Sequence, residues 1–370
     1  MKSKKIRICI VVCDITSGGV ETVLLNYFTH IDCSMYKLDL VTYGITSEIC
    51  ADKFKKLGFN IIKIPPKREG FIKSIKEMNK VIKHGKYDIV HTHLTEWNCI
   101  PMFLAWKSNV SKRISHSHMA DFSLGFKKKI VFSFQKILNK CFANKFCACG
   151  KEAAIYLYGE KWVNENKVQI LYNAIDIKRF KPDIKVREKI RKYLNIENNV
   201  FCVGHIGRFL EQKNHEFLID IFFELHKKNN NSCLVLLGTG VLENKIKQKV
   251  LSLKIDASVK FLGVKNNIEE YYQAMDVFCL PSLFEGLPVV GVESQAANVP
   301  SVVSDTISKE ILITPLVKMM SLSKSANEWA EALLNSNKLK ATVNYFPDEY
   351  NIEKAAVAWR NLYELGEDNK

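Results

Sequence analysis

The chain has 370 residues, 47% hydrophobic and 25% charged, with 17 Gly and 9 Pro, a globular composition that excludes the disordered, collagenous and coiled-coil classes. One hydrophobic core rarely grows past roughly 250–300 residues, so two domains are expected. Lys and Arg number 54 against 39 Asp and Glu, a net charge of +15, which points to an anionic partner such as a nucleotide, a nucleic acid or an acidic membrane face.

The excess is uneven. Residues 1–170 hold 28 basic and 14 acidic side chains, and residues 171–370 hold 26 and 25. The eleven Cys are scattered, several inside apolar runs, and no Cys-x-x-Cys occurs. That pattern disfavours a zinc ribbon or a thioredoxin motif and suits a reducing cytoplasm. The basic start followed by 6–13 superficially looks like a signal peptide. Arg7 within the apolar stretch, and Asp14 with Gly18 and Gly19 beyond it, make a first β-strand the better reading. No apolar run is long enough to span a membrane.

In chain order, β-branched runs predict strands over 7–12, 37–42, 60–64, 89–91, 112–117, 145–148 and 168–172. Helical periodicity falls between them at 20–29, 72–84 and 127–139. Residues 178–182 and the charged 183–193 read as a linker. The alternation then restarts, with strands over 200–205, 233–238, 259–262, 276–280 and 299–304. Helical patterns lie at 215–227, 242–253, 267–274, 291–297 and 325–335, and 352–365 reads as a last amphipathic helix. Strand–helix alternation of this kind predicts α/β architecture with two doubly wound parallel sheets in tandem. Such sheets bind ligands outside the carboxyl ends of their strands, so the loops after strands carry the chemistry.

The first such loop is Thr16-Ser17-Gly18-Gly19-Val20-Glu21, which opens a helix whose free N–H groups suit an anion. A tight turn explains it equally well. The second is Gly207-Arg208-Phe209-Leu210-Glu211-Gln212-Lys213-Asn214; a guanidinium fork and an ammonium together suit a diphosphate, although taken alone a solvated loop with two cations is the plainer reading. The third, Pro281-Ser282-Leu283-Phe284-Glu285-Gly286-Leu287-Pro288-Val289-Val290-Gly291-Val292-Glu293, is the most specific. Glu285 on a turn and Glu293 about two turns into the next helix can face one ligand, and carboxylates accept from hydroxyls. Gly286 would permit unusual dihedrals that aim the amides of Gly286, Leu287 and Val289 at an anion or a sugar. A nicotinamide-cofactor reading is weak, because Gly238-Thr239-Gly240 has Glu243 at the third glycine position.

With these motifs the chain resembles glycosyltransferase family 4, the two-Rossmann-domain GT-B fold, over nearly its whole length. Glu285 and Glu293 match the family's Glu-x7-Glu element, and Gly18, Gly19 and Glu21 its Gly-Gly-x-Glu loop. Gly207, Arg208, Lys213 and Asn214 match its Gly-Arg-x4-Lys-Asn loop; Asn173, Asp176 and Phe180 match the element before the linker. The resemblance implies two Rossmann-like domains facing a central cleft: an acceptor domain at 1–180, a nucleotide-sugar domain at 181–348, and a C-terminal helix at 349–370 packing back on the first. It implies that Glu293 holds the donor ribose, that Glu285 and the amides after it hold the transferred sugar, and that Arg208, Lys213 and the Gly19 backbone neutralise the leaving diphosphate. A histidine resembling His118 would stabilise the transition state of a retaining transfer. No Asp-x-Asp occurs, in keeping with metal independence and no cofactor beyond the UDP- or GDP-linked donor. Asn298 stands where a glycine is usual, and Asp305-Thr306-Ile307-Ser308-Lys309-Glu310 replaces a glycine-rich loop.

His91 and His93, with His116 and His118, form two His-x-His pairs after strands. Zinc is one reading, but the Cys-x-x-Cys or His-Glu-x-x-His context of a metal site is missing, so none is expected. His91, His93 and His116 are placed on the acceptor side, with packing beneath the site as the plain alternative. The basic residues Lys127, Lys128 and Lys129 before an apolar run suggest a cationic face that meets an anionic leaflet, and hence a cytoplasmic enzyme peripheral on the inner face of the membrane. Its acceptor would be a saccharide, carried on lipid, for capsule or exopolysaccharide. A nucleic-acid binder lacks the aromatic-interleaved basic motif, and a nucleotide-sugar epimerase would share the fold but need no acceptor.

Overall fold

The structure is a computed structural model that describes residues 5–16, 18–119, 126–336 and 346–365, with the backbone alone of Phe126, Lys127 and Lys128. Ser17 and the two lysines' side chains in the predicted cationic face lie outside what is described. The chain divides into two compact units, Met1–Ala174 with Ile352–Lys370, and Ile175–Asn351.

The first unit is built on strands β1 (Ile6–Val11), β2 (Tyr36–Thr42), β3 (Phe59–Lys63), β4 (Ile89–Thr92), β5 (Lys112–Ser117), β6 (Lys145–Ala148) and β7 (Gln169–Ile170). They form one sheet in the order β3-β2-β1-β4-β5-β6-β7, and every pairing is parallel. The second unit repeats the scheme with β8 (Phe201–Ile206), β9 (Ser232–Leu237), β10 (Val259–Phe261), β11 (Val277–Leu280), β12 (Ser301–Ser304) and β13 (Val317–Met320). Its order is β10-β9-β8-β11-β12-β13, again parallel throughout. Helices on both faces bury the central strands, which therefore read as continuous apolar runs such as Val277-Phe278-Cys279-Leu280, all buried. The predicted α/β class with two doubly wound sheets is what the chain adopts.

In each sheet the strand order reverses between the first and fourth strands. That reversal opens a crevice at the carboxyl ends. In the first unit it lies between β1 and β4, and in the second between β8 and β11. The loops after those four strands are the glycine loop, the His93 turn, the Arg208–Asn214 loop and the Glu285 loop.

Two expectations change. Residues 183–193 are no linker: Asp183 caps the helix Ile184–Tyr193 through Lys185 and Val186 N–H. The charges are structural, since Arg187 pairs with Asp276 at 2.7 Å and fully buried Arg191 bonds the carbonyls of Ala274, Glu197 and Val200. The edge strand β13, only half-buried, escapes the apolar pattern. Gly238 and Gly240 are packing glycines. A Cβ on Gly238, which sits at φ +131°, would lie 2.1 Å from Gly207 O, and one on Gly240 2.6 Å from Phe209 O.

The last helix, Ile352–Leu362, belongs to the first unit. It lays Trp359 on Tyr27 with ring centroids 4.2 Å apart and brings Tyr363 beside Phe28 at 6.0 Å. All eleven cysteines are free thiols. Among the described residues no helix is long and apolar enough to cross a membrane.

Candidate functional site

In the second unit, chain reversal after β8 brings the Gly207–Asn214 loop against the loop after β11. Lys213 Nζ forms an ion pair with Glu285 Oε1, both side chains only 12–14% exposed. Ser282 Oγ donates to the same carboxylate at 3.1 Å, and Gln212 Nε2 donates to Phe284 O at 3.0 Å and lies 3.4 Å from Glu285 Oε2. Leu283 N–H donates to Gln212 O, and Asn214, itself left-handed at φ +53°, donates from Nδ2 to Pro281 O at 3.1 Å. The two loops are therefore one unit of structure. Loop 305–310 joins it: Ser304 and Thr306 hydroxyls donate to Ser282 O, and Ile307 pairs in parallel with Glu285.

Gly286 is not in the left-handed region: among the described residues the glycines at positive φ are Gly58, Gly70, Gly159, Gly238 and Gly263. The turn is held by the side-chain bonds just described. Asn298, by contrast, takes the left-handed φ of +56° expected of a glycine substitute.

Glu293 lies barely one turn into its helix, which runs Val289–Ala296, rather than two. It is 3% exposed, and Tyr272 Oη stands 3.1 Å from Oε2 and 2.9 Å from Val290 O. Burial pushes its carboxyl up to about 7, the Tyr272 hydroxyl bond and Arg179 opposing and Glu269 adding. Leu287 and Val289 are buried. Arg208 is exposed, and among the described residues it forms no ion pair. Asp176 caps Ile177–Phe180, Phe180 packs edge-on to Tyr272 at 5.9 Å, and Arg179 pairs with Glu269 at 2.7 Å. Asp176 and Phe180 thus brace the wall behind Glu293.

Behind the same loops lie two histidines that sequence reading did not single out. His205 Nδ1 bonds Cys279 O at 2.8 Å, and His215 stacks on Phe209 at 4.1 Å. Burial, with Lys213 nearby, pushes His215 down to about 4. Their signal in the sequence, a histidine inside a strand and another after Asn214, has no distinctive spacing.

In the first unit, Glu21 folds the glycine loop inward. Its Oε2 accepts from Thr16 Oγ1 at 2.7 Å and from Gly18 N–H at 3.1 Å. The Gly18 amide is thereby spent inside the loop, and Gly19 opens the helix Gly19–Thr29, where first-turn amides have no intrahelical acceptor.

The two His-x-His pairs meet on one face of β4 and β5. His91 Nε2 and His116 Nδ1 are 3.1 Å apart, and His93 Nδ1 and His118 Nε2 2.7 Å apart. His91 Nδ1 meets Tyr363 Oη at 2.8 Å, and Trp359 roofs the group, nearly parallel to His93 at 6.2 Å. His91, His93 and His116 are buried. Burial holds all four rings below the usual imidazole range, His118 at about 3. They are neutral hydrogen-bonding groups packed beneath Trp359 and Tyr363. Trp359 and Tyr363 are the residues sequence reading missed, since only the fold brings residues 350–365 to β4.

Comparison with known proteins gives the family. Residues 186–340 match the family model for glycosyl transferases group 1, and residues 17–179 match that for Glycosyltransferase Family 4. The chain is 30% identical over 345 residues to EpsF of Bacillus subtilis, named as a glycosyltransferase, covering 90% of this chain and 88% of that protein. It is 28% identical over 248 residues to the UDP-Gal:alpha-D-GlcNAc-diphosphoundecaprenol alpha-1,3-galactosyltransferase of Escherichia coli, covering 65% and 64%. The crystal structure of HepE from Anabaena in complex with UDP-glucose superposes with a TM-score of 0.74 at 16% identity, covering 95% and 94%. That structural likeness is one of fold.

Proposed function

The chain belongs to glycosyltransferase family 4, and on that premise we propose that it moves a hexose from a UDP- or GDP-sugar to a lipid-linked saccharide, with retention of configuration and without a metal. The product class is a cell-surface polysaccharide. The observation that carries the reading is the Lys213–Glu285 pair on the two loops at the strand reversal of the second sheet, with buried Glu293 on the following helix.

In this reading the second unit takes the donor. Glu293 accepts from the ribose hydroxyls, and Glu285 with the backbone of Gly286, Leu287 and Val289 holds the sugar. As the bond from the anomeric carbon to the diphosphate breaks, negative charge grows on the departing phosphate. Lys213 and Arg208 stabilise it, with Gly18 and Gly19 supplying the fold and the first-turn amides of the glycine loop. The acceptor oxygen bonds the anomeric carbon on the face the phosphate leaves, and its proton passes to a phosphate oxygen. His118 offers a hydrogen bond near that centre. It serves as a stabiliser, because burial keeps it neutral. His91, His93 and His116 shape the acceptor side. A lipid-diphosphate acceptor is favoured by the E. coli relative's name, and UDP by the ligand in the HepE structure.

The acceptor unit also suits an anionic leaflet. Its helix Phe126–Phe142 exposes Ile130, Val131, Phe134 and Ile137 on a basic half of the chain, and each basic residue near such a surface is worth about 1 kcal/mol. A cytoplasmic enzyme, peripheral on the inner membrane face, follows from that reading. The transferase reading is tested by incubating the protein with a panel of radiolabelled UDP- and GDP-sugars and bacterial lipid extract. One sugar should enter the lipid fraction without added metal and in the presence of chelator. Label released as free sugar or epimer, with none in lipid, would count against it. Co-sedimentation with anionic vesicles at moderate salt, weakened by Phe134→Ser, tests the membrane part; equal binding to neutral vesicles would refute it.

A further inference from the structure

The histidine group has ring nitrogens that the proposed transfer leaves unused. His93 Nε2 and His116 Nε2 are buried and have no hydrogen-bond partner. One ring nitrogen from each of His91, His93 and His116 falls within 4.8 Å of the others. We propose that His91, His93 and His116 form a binding site for a divalent transition-metal ion of the zinc class.

The chemistry of the three rings supports this. A histidine that ligates a metal through one nitrogen has its other nitrogen fixed by a hydrogen bond, which sets the tautomer. Two of the three already have that bond: His91 Nδ1 meets Tyr363 Oη at 2.8 Å, and His93 Nδ1 meets His118 Nε2 at 2.7 Å. In each the Nε2 side is left for an ion. For His93 and His116 that atom is also the orphaned one, and an unpaired buried polar atom is unfavourable until it gains a partner. For His91 the present partner of Nε2 is His116 Nδ1 at 3.1 Å, a hydrogen bond that gives way when His91 turns its Nε2 to the ion. His91 and His116 sit on adjacent strands held in parallel register, His91 opposite Ile114, and His93 follows directly on the first of them, so an ion shared by the three would be held at Zn–N distances of about 2.0–2.1 Å. Three neutral imidazoles with a water in the fourth position suit zinc. The absence of a carboxylate among these donors disfavours calcium and magnesium, which take oxygen ligands. It also leaves the ion's charge uncompensated in a basic unit, so micromolar affinity is expected rather than the tight binding of a thiolate site.

The test is isothermal titration of the chelator-stripped full-length protein with Zn2+ alone, in the absence of any sugar donor, so its outcome does not depend on the transferase reading. One ion per chain should bind. His116→Gln should weaken it at least ~100-fold and Tyr363→Phe, which removes the bond to His91, about tenfold. His84→Ala, at the exposed end of the helix Phe71–Gly85, should leave it unchanged. Failure of Zn2+ to saturate the protein, or equal binding by wild type and His116→Gln, overturns the proposal. If His116→Gln does not fold, zinc-edge X-ray absorption of the loaded wild-type protein decides. A shell of imidazole nitrogens supports the site and a shell of oxygens alone overturns it.

Discussion

The two units share one strand order and place their functional loops at the same topological point, yet they furnish it with opposite chemistry. The second unit is nearly neutral overall and puts formal charges there: Lys213 against Glu285, Arg208 free of ion pairs among the described residues, and Glu293 buried beside Tyr272. The first lies in the strongly basic half of the chain and puts uncharged imidazoles there, under an indole and a phenol from the far end of the sequence. Net charge and site charge are therefore independent. The lysine excess of the first unit sits on its helices, where it can meet an extended anionic surface, while the charges of the second nearly cancel and are largely paired with one another, as in Arg179–Glu269, Arg187–Asp276 and Lys249–Asp220.

The difference can be broken from either side. The largest expected effect is on the first unit. Trp359→Ala removes a fully buried indole that stacks on Tyr27 and covers the histidines, a cost of about 3–5 kcal/mol. In calorimetry the transition carrying that unit should fall by about 10 °C; a fall of a degree or two would mean that the C-terminal helix is not part of its core. Next is Lys213→Ala, which should cut kcat by about 10²–10³ through loss of charge stabilisation on the leaving group. A full-rate variant would remove the diphosphate role from the second unit.

Glu293→Gln sharpens the comparison through pH. Burial raises the folded carboxyl from its ordinary 4.5 to about 7. The stability contributed by its neutral form is whole below pH 4.5 and is lost as pH rises through about 7. Above that, the buried charge costs about 3 kcal/mol. The Gln variant should thus melt higher than wild type at pH 8 and equal to it at pH 4.5, while binding donor about tenfold more weakly at pH 8. Wild-type donor affinity should rise between pH 6 and 8 as the carboxylate forms, and the variant should lose that slope. Equal melting at both pH values would show that Glu293 carries no such strain.

The parallel sheets were readable because apolar strands alternate with 3.6-period helices, and the loops after β8 and β11 because glycine, cation and carboxylate spacings there are distinctive. Other features depend on contacts that sequence does not display. The charged segment 183–193 resembles a linker until Arg187 and Arg191 find Asp276 and three carbonyls some distance along the chain. Gly286 marks the loop in the sequence, but the side chains of Gln212, Ser282 and Lys213 that hold it come from contacts no spacing displays. Glu293 looks two turns into a helix when all eight residues from Glu285 are counted as helical, whereas Pro288 is extended and the helix opens only at Val289. His91 and His116 are two isolated motifs until β4 and β5 pair and Tyr363 arrives from 272 residues away.

The central claim is that the second unit binds the donor through the Lys213–Glu285 loops and Glu293. It is tested most directly by calorimetric titration of UDP and GDP into the wild-type protein, Lys213→Ala and Glu293→Gln at pH 8. One nucleotide should bind the wild type, and each substitution should weaken that binding tenfold or more in a protein that melts as a folded chain. Undiminished affinity in both variants would contradict it.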